Sequence, residues 1–202
     1  MTAILNQHEN YLQADQAYGF PLLIKNLLSR AKVVSGDKKI HYADKTSYTY
    51  HEFFKRVNRL ANVLKGLNLQ KGDVVAVMDW DTHRYLECYF AIPMCGYILQ
   101  TVNVRLSEDK VLYTINHAKP KALLLNSEFS PMIKSHTQDA PSVEHVIWLD
   151  DNNTPMPSYA QGEYEAMLAQ ASDEYEFEDF DENTIATTFY TSGTTGNPKG
   201  VF

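Results

Sequence analysis

The stretch "YTSGTTGNPKGV", Tyr190–Val201, gathers glycines and small hydroxyl residues around a single lysine. It overlaps the end of "TIATTFY", Thr184–Tyr190, a β-branched and apolar run that predicts a strand. Glycines let a backbone turn through positive φ and approach a ligand closely. Successive free N–H groups in such a loop form a concavity that suits phosphate oxygens. The stretch therefore predicts a strand, a polyphosphate-binding loop and a second strand.

The side chains of this loop suit a nucleotide phosphate and its metal ion. Hydroxyl groups can donate to phosphate or ligate Mg²⁺, and a lysine supplies positive charge. A Walker A loop would instead place Gly-Lys-Ser/Thr before a helix, whereas Lys199 lies between Pro198 and Gly200. Composition alone leaves a flexible Gly/Thr hairpin as the alternative. The candidate phosphate-binding residues are Thr191, Ser192, Gly193, Thr194, Thr195, Gly196 and Lys199.

Alternating strand and helix patterns between Asp73 and Leu149 predict an α/β fold with a mostly parallel sheet and flanking helices. Its apolar strands are unbroken, as in strands that are buried on both faces. A β-hairpin of Lys39–Tyr42 and Ser47–Tyr50 is predicted before the sheet. Thr49, three residues before Glu52, predicts a capping box that opens a helix.

The remaining predicted elements follow in order along the chain. The helix after the hairpin ends at Gly66, and Ser107 is expected to cap a later helix. Strands are predicted in "GDVVAVM", "YILQTV", "KALLLN" and "VEHVIWL", and helices from about Thr82 to Gly96, after Ser107 and in "SPMIKSH".

An acidic segment separates this core from the closing stretch. Asp150–Glu182 contains eleven acidic residues and no Lys or Arg, a net charge of −11, so the rest of a chain of net charge −7 carries +4. Its densest part, "DEYEFEDFDEN", is predicted to be a solvated connector, with an acidic docking tail as the alternative. The chain therefore divides into a hairpin and α/β core (19–149), an acidic connector (150–183) and a strand–loop–strand unit (184–202).

Composition excludes several classes of protein. A net charge of −7 argues against nucleic-acid binding. The longest apolar run, Tyr89–Leu99, is too short to cross a bilayer, and the first residues lack a signal-peptide pattern, which favours a cytoplasmic protein without a transmembrane segment. Cys88 and Cys95 lie seven positions apart in a predicted helix, too far for a disulfide.

The string "YTSGTTGNPKGV" also resembles the phosphate-binding signature of the adenylate-forming superfamily of acyl-CoA synthetases, adenylation domains and luciferases. Upstream, "TYHEFFKRVNRLANVLKGLNLQKGDVVAVM" resembles the entry helix and first core strand of that family. "WDTHRYLECYFAIPMCGYILQTVNVRLSEDKVLYTINHAKPKALLLN" resembles its medium- and long-chain fatty acyl-CoA ligase branch. The resemblance extends from about Phe20 to Phe202.

The resemblance implies an acid–thiol ligase that uses ATP, Mg²⁺ and coenzyme A. A fatty acid and ATP would form an acyl-adenylate and pyrophosphate, and coenzyme A would then displace AMP. Thr191–Lys199 would hold the phosphates, with Thr191 as a candidate metal contact through its hydroxyl and Lys199 as a catalytic charge partner of the departing pyrophosphate. Signatures that the family places further downstream, for adenine, ribose and a catalytic lysine, are not in this sequence. The chain is therefore expected to be the incomplete N-terminal part of the large adenylation domain and to be inactive alone. The complete enzyme could be a homodimer.

Alternatives to this function remain open from the sequence. The acid could be an aromatic acid or an amino acid, or the chain could be a non-catalytic interaction module. Asp79, Asp81 and His83 follow a strand's carboxyl end, where α/β folds often place ligands, although Asp81 or Thr82 as a helix N-cap is more economical. Arg105 could contact phosphate or have a structural hydrogen-bonding role, and the structural role is favoured. For Tyr85, Tyr89 and Phe90 we expect core packing.

Overall fold

A helix, an antiparallel hairpin and a long helix precede the main sheet in the computed structural model, which describes residues 19–191 and 196–202. They are α1 (Ile24–Ser35), β1 (Lys39–Tyr42), β2 (Thr46–Thr49) and α2 (Tyr50–Gly66). The predicted hairpin is confirmed, but its second strand begins one residue early because Thr46 pairs with Tyr42. Thr49 is the N-cap of α2 and accepts a hydrogen bond from the Glu52 N–H at 3.2 Å.

The main sheet has seven strands in the order β7-β6-β5-β3-β4-β8-β9. Every neighbouring pair is parallel except β8 and β9, which are antiparallel, so the prediction of a mostly parallel sheet is confirmed. Parallel pairing places the carboxyl ends of β3, β4, β5, β6 and β8 at one edge of the sheet. The strands are β3 (Val74–Met78), β4 (Ile98–Thr101), β5 (Ala122–Asn126), β6 (His145–Leu149), β7 (Gly162–Glu163), β8 (Thr187–Thr191) and β9 (Lys199–Val201).

Helices cover both faces of the sheet because alternate residues of each central strand point to opposite faces. Val75 and Val77 pack in a core with α2, whereas Ala76 and Met78 pack in a second core on the other face. None of the helices in the described ranges combines the length and apolarity that a bilayer crossing needs. The later helices are α3 (His83–Met94), α4 (Glu108–Ala118), a 3-10 helix (Ser127–Met132), α5 (His136–Asp139) and α6 (Tyr164–Gln170).

Two local predictions need correction. The expected helix in "SPMIKSH" is instead the end of the 3-10 helix, a break, and the first residue of α5. Pro131 lies in that stretch, and proline has no N–H to continue helical pairing. Ser107 occupies the N-cap position of α4, but its side chain makes no cap hydrogen bond. Cys88 and Cys95 are free thiols, as predicted.

The acidic segment is partly folded and lies against the protein's own basic residues. It contains β7 and α6, which the sequence analysis did not predict, and Tyr164 and Leu168 of α6 are buried. Its densest part has no helix or strand and runs beside α2. There Asn62 donates to the carbonyl oxygens of Ser172 and Glu174, each at 2.9 Å. Further along, Lys25 donates to the Phe177 carbonyl oxygen at 2.8 Å.

A buried carboxylate joins the hairpin to three helices. Glu87 of α3 is fully buried and accepts hydrogen bonds from Arg56 of α2 at 2.7 Å, Tyr48 of β2 at 2.8 Å and Tyr164 of α6 at 2.6 Å. Arg56 also forms a two-pronged pair with Glu165, both bonds being 2.8 Å. A buried charge of this kind is tolerated only where its partners satisfy it.

Replacing this carboxylate should therefore be costly. We expect Glu87→Ala to lower the free energy of unfolding by about 3 kcal/mol, because it leaves part of the Arg56 charge and two tyrosine hydroxyls without their buried partner. Urea denaturation followed by circular dichroism would measure the change. Glu176→Ala, at an exposed position of the acidic segment, is the matched control and should change stability by less than about 0.5 kcal/mol. Equal effects of the two substitutions would contradict the prediction.

The pKa of Glu165 gives a second prediction. Burial alone would raise this pKa, but hydrogen bonds from His83 and Arg56 outweigh burial and lower it to about 2. Because its pKa is lowered in the folded state, the Glu165 carboxylate stabilises the fold at pH values above the ordinary pKa of 4.5. That stabilisation is lost as the pH falls toward 2. We expect the stability difference between the native chain and Glu165→Gln to shrink between pH 5 and pH 2.5, measured by urea denaturation at each pH. A pH-independent difference would contradict it.

Candidate functional site

The predicted phosphate loop lies at the carboxyl end of β8 and leads into the antiparallel strand β9. Thr191 and Lys199 are paired partners in this hairpin and close its loop. Gly196 has a φ of +94°, a backbone conformation that L side chains rarely adopt. Pro198 is buried, which anchors the loop where it enters β9. Ser192, Gly193, Thr194 and Thr195 lie outside the described residues.

The two faces of the hairpin carry different residues. Side chains alternate along a strand, so Thr191 and its partner Lys199 share one face, and Tyr190 and its partner Gly200 share the other. Both Thr191 and Lys199 are exposed. The structure therefore brings a hydroxyl and an ammonium together beside the loop, at the edge where the parallel strands end.

The opposite face of the hairpin is fixed by a contact that sequence reasoning missed. The Tyr190 hydroxyl lies 2.8 Å from Nδ1 of His117 on α4. Its ring covers Gly200, where a Cβ atom would lie 3.4 Å from Cε1 and Cζ of the ring. His117 in turn stacks on Tyr113, one helical turn earlier, with ring centroids 5.8 Å apart. Only the Tyr113–His117 spacing is visible in the sequence as a helical neighbour pair.

An open groove of about 380 Å³ adjoins the same hairpin. Tyr89 of α3 and Phe189 of β8 line it, and both are among the exposed aromatic residues. The expectation of core packing thus holds for Tyr85, which is buried, and for Phe90, which packs against the core, but not for Tyr89. The groove offers apolar surface next to the paired Thr191 and Lys199.

The structure separates Asp79 from the other two candidates, because Asp81 and His83 line one pocket of about 260 Å³ that Asp79 does not line. Asp79 is buried and accepts hydrogen bonds from the Thr82 hydroxyl and, at 2.6 Å, from the Asn126 amide. Thr82 is the N-cap of α3 and accepts a hydrogen bond from the Tyr85 N–H, which confirms the interpretation of Thr82 as a helix N-cap. His83 instead contacts Glu165, with Nε2 3.1 Å from the carboxylate. Burial raises the pKa of Asp79, and its hydrogen bonds counter that rise only in part.

Arg105 makes no hydrogen bond through its guanidinium to any described residue. Its guanidinium carbon lies 6.0 Å from the centre of the Trp80 ring, a cation–π contact. Its backbone N–H donates to the Asn103 side chain at 3.1 Å. The contacts of Arg105 are therefore a backbone hydrogen bond and a cation–π contact, as expected for a structural role.

The described residues contain no group of three or more His, Cys, Asp or Glu side chains that could hold a metal ion. Thr191 contributes one exposed hydroxyl oxygen beside the loop. Mg²⁺ in nucleotide sites commonly takes most of its ligands from phosphates and water. The donor set therefore suits a nucleotide-borne magnesium ion better than a resident metal held by the protein.

Comparisons with known proteins extend over most of the chain. The family model described as AMP-binding enzyme matches residues 28–202. The medium-chain-fatty-acid–CoA ligase of Ectopseudomonas oleovorans is 33% identical over 186 residues, covering 89% of this chain and 34% of that protein. The 3-methylmercaptopropionyl-CoA ligase of Ruegeria lacuscaerulensis is 30% identical over 187 residues, covering 90% and 35%.

A solved structure supports the fold. The crystal structure of the anthranilate CoA ligase AuaEII in complex with anthranoyl-AMP superposes with a TM-score of 0.82 at 23% identity, covering 91% of this chain and 35% of that one. The chain spans about a third of the length of the relatives it matches.

The contact between Tyr190 and Gly200 predicts a size limit at position 200. We expect Gly200→Ala to be tolerated, since its Cβ would make an ordinary contact at 3.4 Å. Gly200→Val extends beyond that point and should displace the Tyr190 ring from His117. Hydrogen–deuterium exchange of peptides covering 186–202 would show faster exchange for Gly200→Val only. Similar exchange in both variants would refute the limit.

Proposed function

The chain belongs to the AMP-binding enzyme family, and on that premise we propose that it supplies the phosphate-binding loop of an ATP-dependent acid–CoA ligase. The observation that carries the proposal is the pairing of Thr191 with Lys199 at the carboxyl edge of a parallel sheet. Ligands of open α/β sheets bind at this edge. The loop between these two residues is the one that the sequence predicts to bind phosphate.

The proposed reaction has two steps. A carboxylate oxygen of the acid attacks the α-phosphorus of ATP, the bond from that phosphorus to the bridging oxygen breaks, and pyrophosphate leaves. The thiol of coenzyme A, losing its proton, then attacks the acyl carbon, and AMP leaves. Negative charge develops on the pyrophosphate during the first step, and fixed donors and a cation stabilise such charge. Lys199 would supply the cation, and the loop N–H groups and Thr191 hydroxyl would supply donors.

Magnesium is proposed as a partner of the nucleotide. When bound, it would neutralise charge on the phosphates and help to hold them in line. Within this chain, Thr191 is the residue proposed to contact it. Ser192, Gly193, Thr194, Thr195 and Gly196 stay proposed phosphate-binding residues on the strength of the sequence.

We propose a fatty acid as the substrate. The stretch from Trp80 to Asn126 resembles the fatty acyl-CoA ligase branch, and a medium-chain relative is 33% identical. Another carboxylic acid is the second candidate, because a relative named for 3-methylmercaptopropionate is 30% identical. A cytoplasmic location and a homodimer stay predictions from the sequence.

An interaction module is less well supported. Its acidic docking tail would have to be free, whereas Asn62 and Lys25 bind the backbone of that segment within the same chain.

The test is acid-dependent exchange of labelled pyrophosphate into ATP by the intact protein that contains this chain. A panel of medium-chain, long-chain, aromatic and sulfur-containing acids would identify the acid class. Exchange with fatty acids supports the full proposal, and exchange with another acid class supports the ligase but not the substrate. No exchange with any acid would overturn the ligase.

Lys199 provides a sharper prediction in the same protein. Lys199→Ala should slow adenylation by about 10- to 100-fold, because a charge-assisted contact to the pyrophosphate is lost. Thioester formation from supplied acyl-adenylate should change little, since pyrophosphate leaves only in the first step. Lys199→Arg should not restore full activity, because a planar guanidinium does not replace a compact ammonium.

The matched control is Lys110→Ala on the exposed surface of α4, which should leave both half-reactions unchanged. Equal losses in both half-reactions of Lys199→Ala would argue against a pyrophosphate role.

A further inference from the structure

We propose that Tyr190 and His117 are positioning residues that hold the phosphate loop in place for the nucleotide. This inference rests on the proposed function of the loop. Tyr190 immediately precedes Thr191, and its hydroxyl lies 2.8 Å from Nδ1 of His117. Neither side chain shares the face of the hairpin that carries Thr191 and Lys199. Their effect on phosphate would therefore be indirect, through the backbone of β8.

Few other contacts hold this hairpin in the described part of the chain: Pro198 is buried, and the Thr188 hydroxyl donates to the Val201 carbonyl oxygen at 3.0 Å. In the described part of the chain, β9 is a three-residue edge strand whose only sheet partner is β8. Phe189 and Val201, paired across this hairpin, are 44% and 38% exposed. The open side of the hairpin therefore contributes little packing to fix where the loop lies.

The part of α4 that carries His117 is held in place by core packing. Val111 and Ile115 of this helix are fully buried in the second core. His117 lies two residues beyond Ile115, and stacking on Tyr113 at an interplanar angle of 27° limits the orientation of its ring. The hydrogen bond between Tyr190 and His117 thus links the exposed hairpin to the core of the domain.

Gly200 completes the arrangement. The Tyr190 ring covers this glycine across the ladder, which is a known way of stabilising a glycine in an edge strand. Tyr190 therefore links the two strands that flank the loop, because its backbone belongs to β8 and its ring contacts Gly200 of β9. Movement of the ring would shift Thr191 and Lys199 together.

The contact does not depend on one protonation state. A neutral His117 can accept from the hydroxyl at Nδ1 or donate to it, and a charged His117 donates to it. We therefore expect the effect of removing the contact to be the same across the working pH range. That separates positioning from acid–base catalysis, in which the effect would follow the titration of the group.

The test uses the intact protein and compares Tyr190→Phe with Tyr50→Phe. Tyr190→Phe keeps the ring over Gly200 and removes only the hydroxyl. We expect it to raise the KM for MgATP about fivefold, as for loss of one hydrogen bond, with the KM for the acid and the rate of thioester formation unchanged. Tyr50 begins α2 and packs against the core on the other face of the sheet, so Tyr50→Phe should match the native enzyme.

Two substitutions of His117 test whether the contact can be removed and then restored. His117→Ala should reproduce the effect of Tyr190→Phe, and His117→Asn should restore most of the native KM, since its amide can occupy the region of Nδ1. An unchanged KM for MgATP in Tyr190→Phe, or equal increases in the KM values of ATP and acid, would overturn the proposal. A KM effect that follows pH would also count against it.

A second measurement separates this proposal from the proposed function. Pyrophosphate alone is titrated into the native protein and the same variants by calorimetry. Weaker pyrophosphate binding in Tyr190→Phe than in Tyr50→Phe supports positioning even if no acid gives exchange, in which case only the ligase fails. Equal pyrophosphate binding in the two variants overturns the positioning role even if the native enzyme is an active ligase.

Discussion

Parallel pairing of β3, β4, β5, β6 and β8 is the constraint on which the remaining structure depends. Each parallel neighbour requires the chain to return across a face of the sheet before the next strand. The helices that make these returns cover both faces and bury the alternate residues of β3 in two separate cores. The same geometry collects every carboxyl end at one edge, and the loop after β8 begins there.

The antiparallel strand β9 is the exception to this pattern. It returns directly beside β8, so no helix is needed and the intervening loop stays at the functional edge. Some polar groups elsewhere at this edge are engaged within the protein. Asp79, for example, accepts hydrogen bonds from Thr82 and Asn126. Thr191 and Lys199 are exposed where the described residues flank the loop.

Local sequence was a good guide where local physics decides the structure. The apolar runs that became β3 and β5 are buried on both faces, and Thr82 caps α3 through its own side chain. Prediction failed where distant contacts decide. Helix α6 lies in an acidic segment, and the burial of its Tyr164 depends on Glu87, far away in the chain.

The candidate site shows the same division. The literal string of the loop predicted where Thr191 and Lys199 would lie, because both belong to one short hairpin. The contact between Tyr190 and His117 joins residues 73 positions apart, and no local pattern encodes it.

The way in which the acidic segment is held has a consequence for how its sequence can vary. Asn58, Asn62 and Lys25 all donate to main-chain carbonyl oxygens of that segment, at 2.8 to 2.9 Å. A carbonyl oxygen is present at every residue, whatever its side chain. The path of the segment is therefore specified in large part by the residues of α1 and α2 that hold its backbone. Acidic side chains of the segment that form no ion pair with a described residue, such as Glu174 and Glu176, can be replaced in related chains while the backbone keeps the same course.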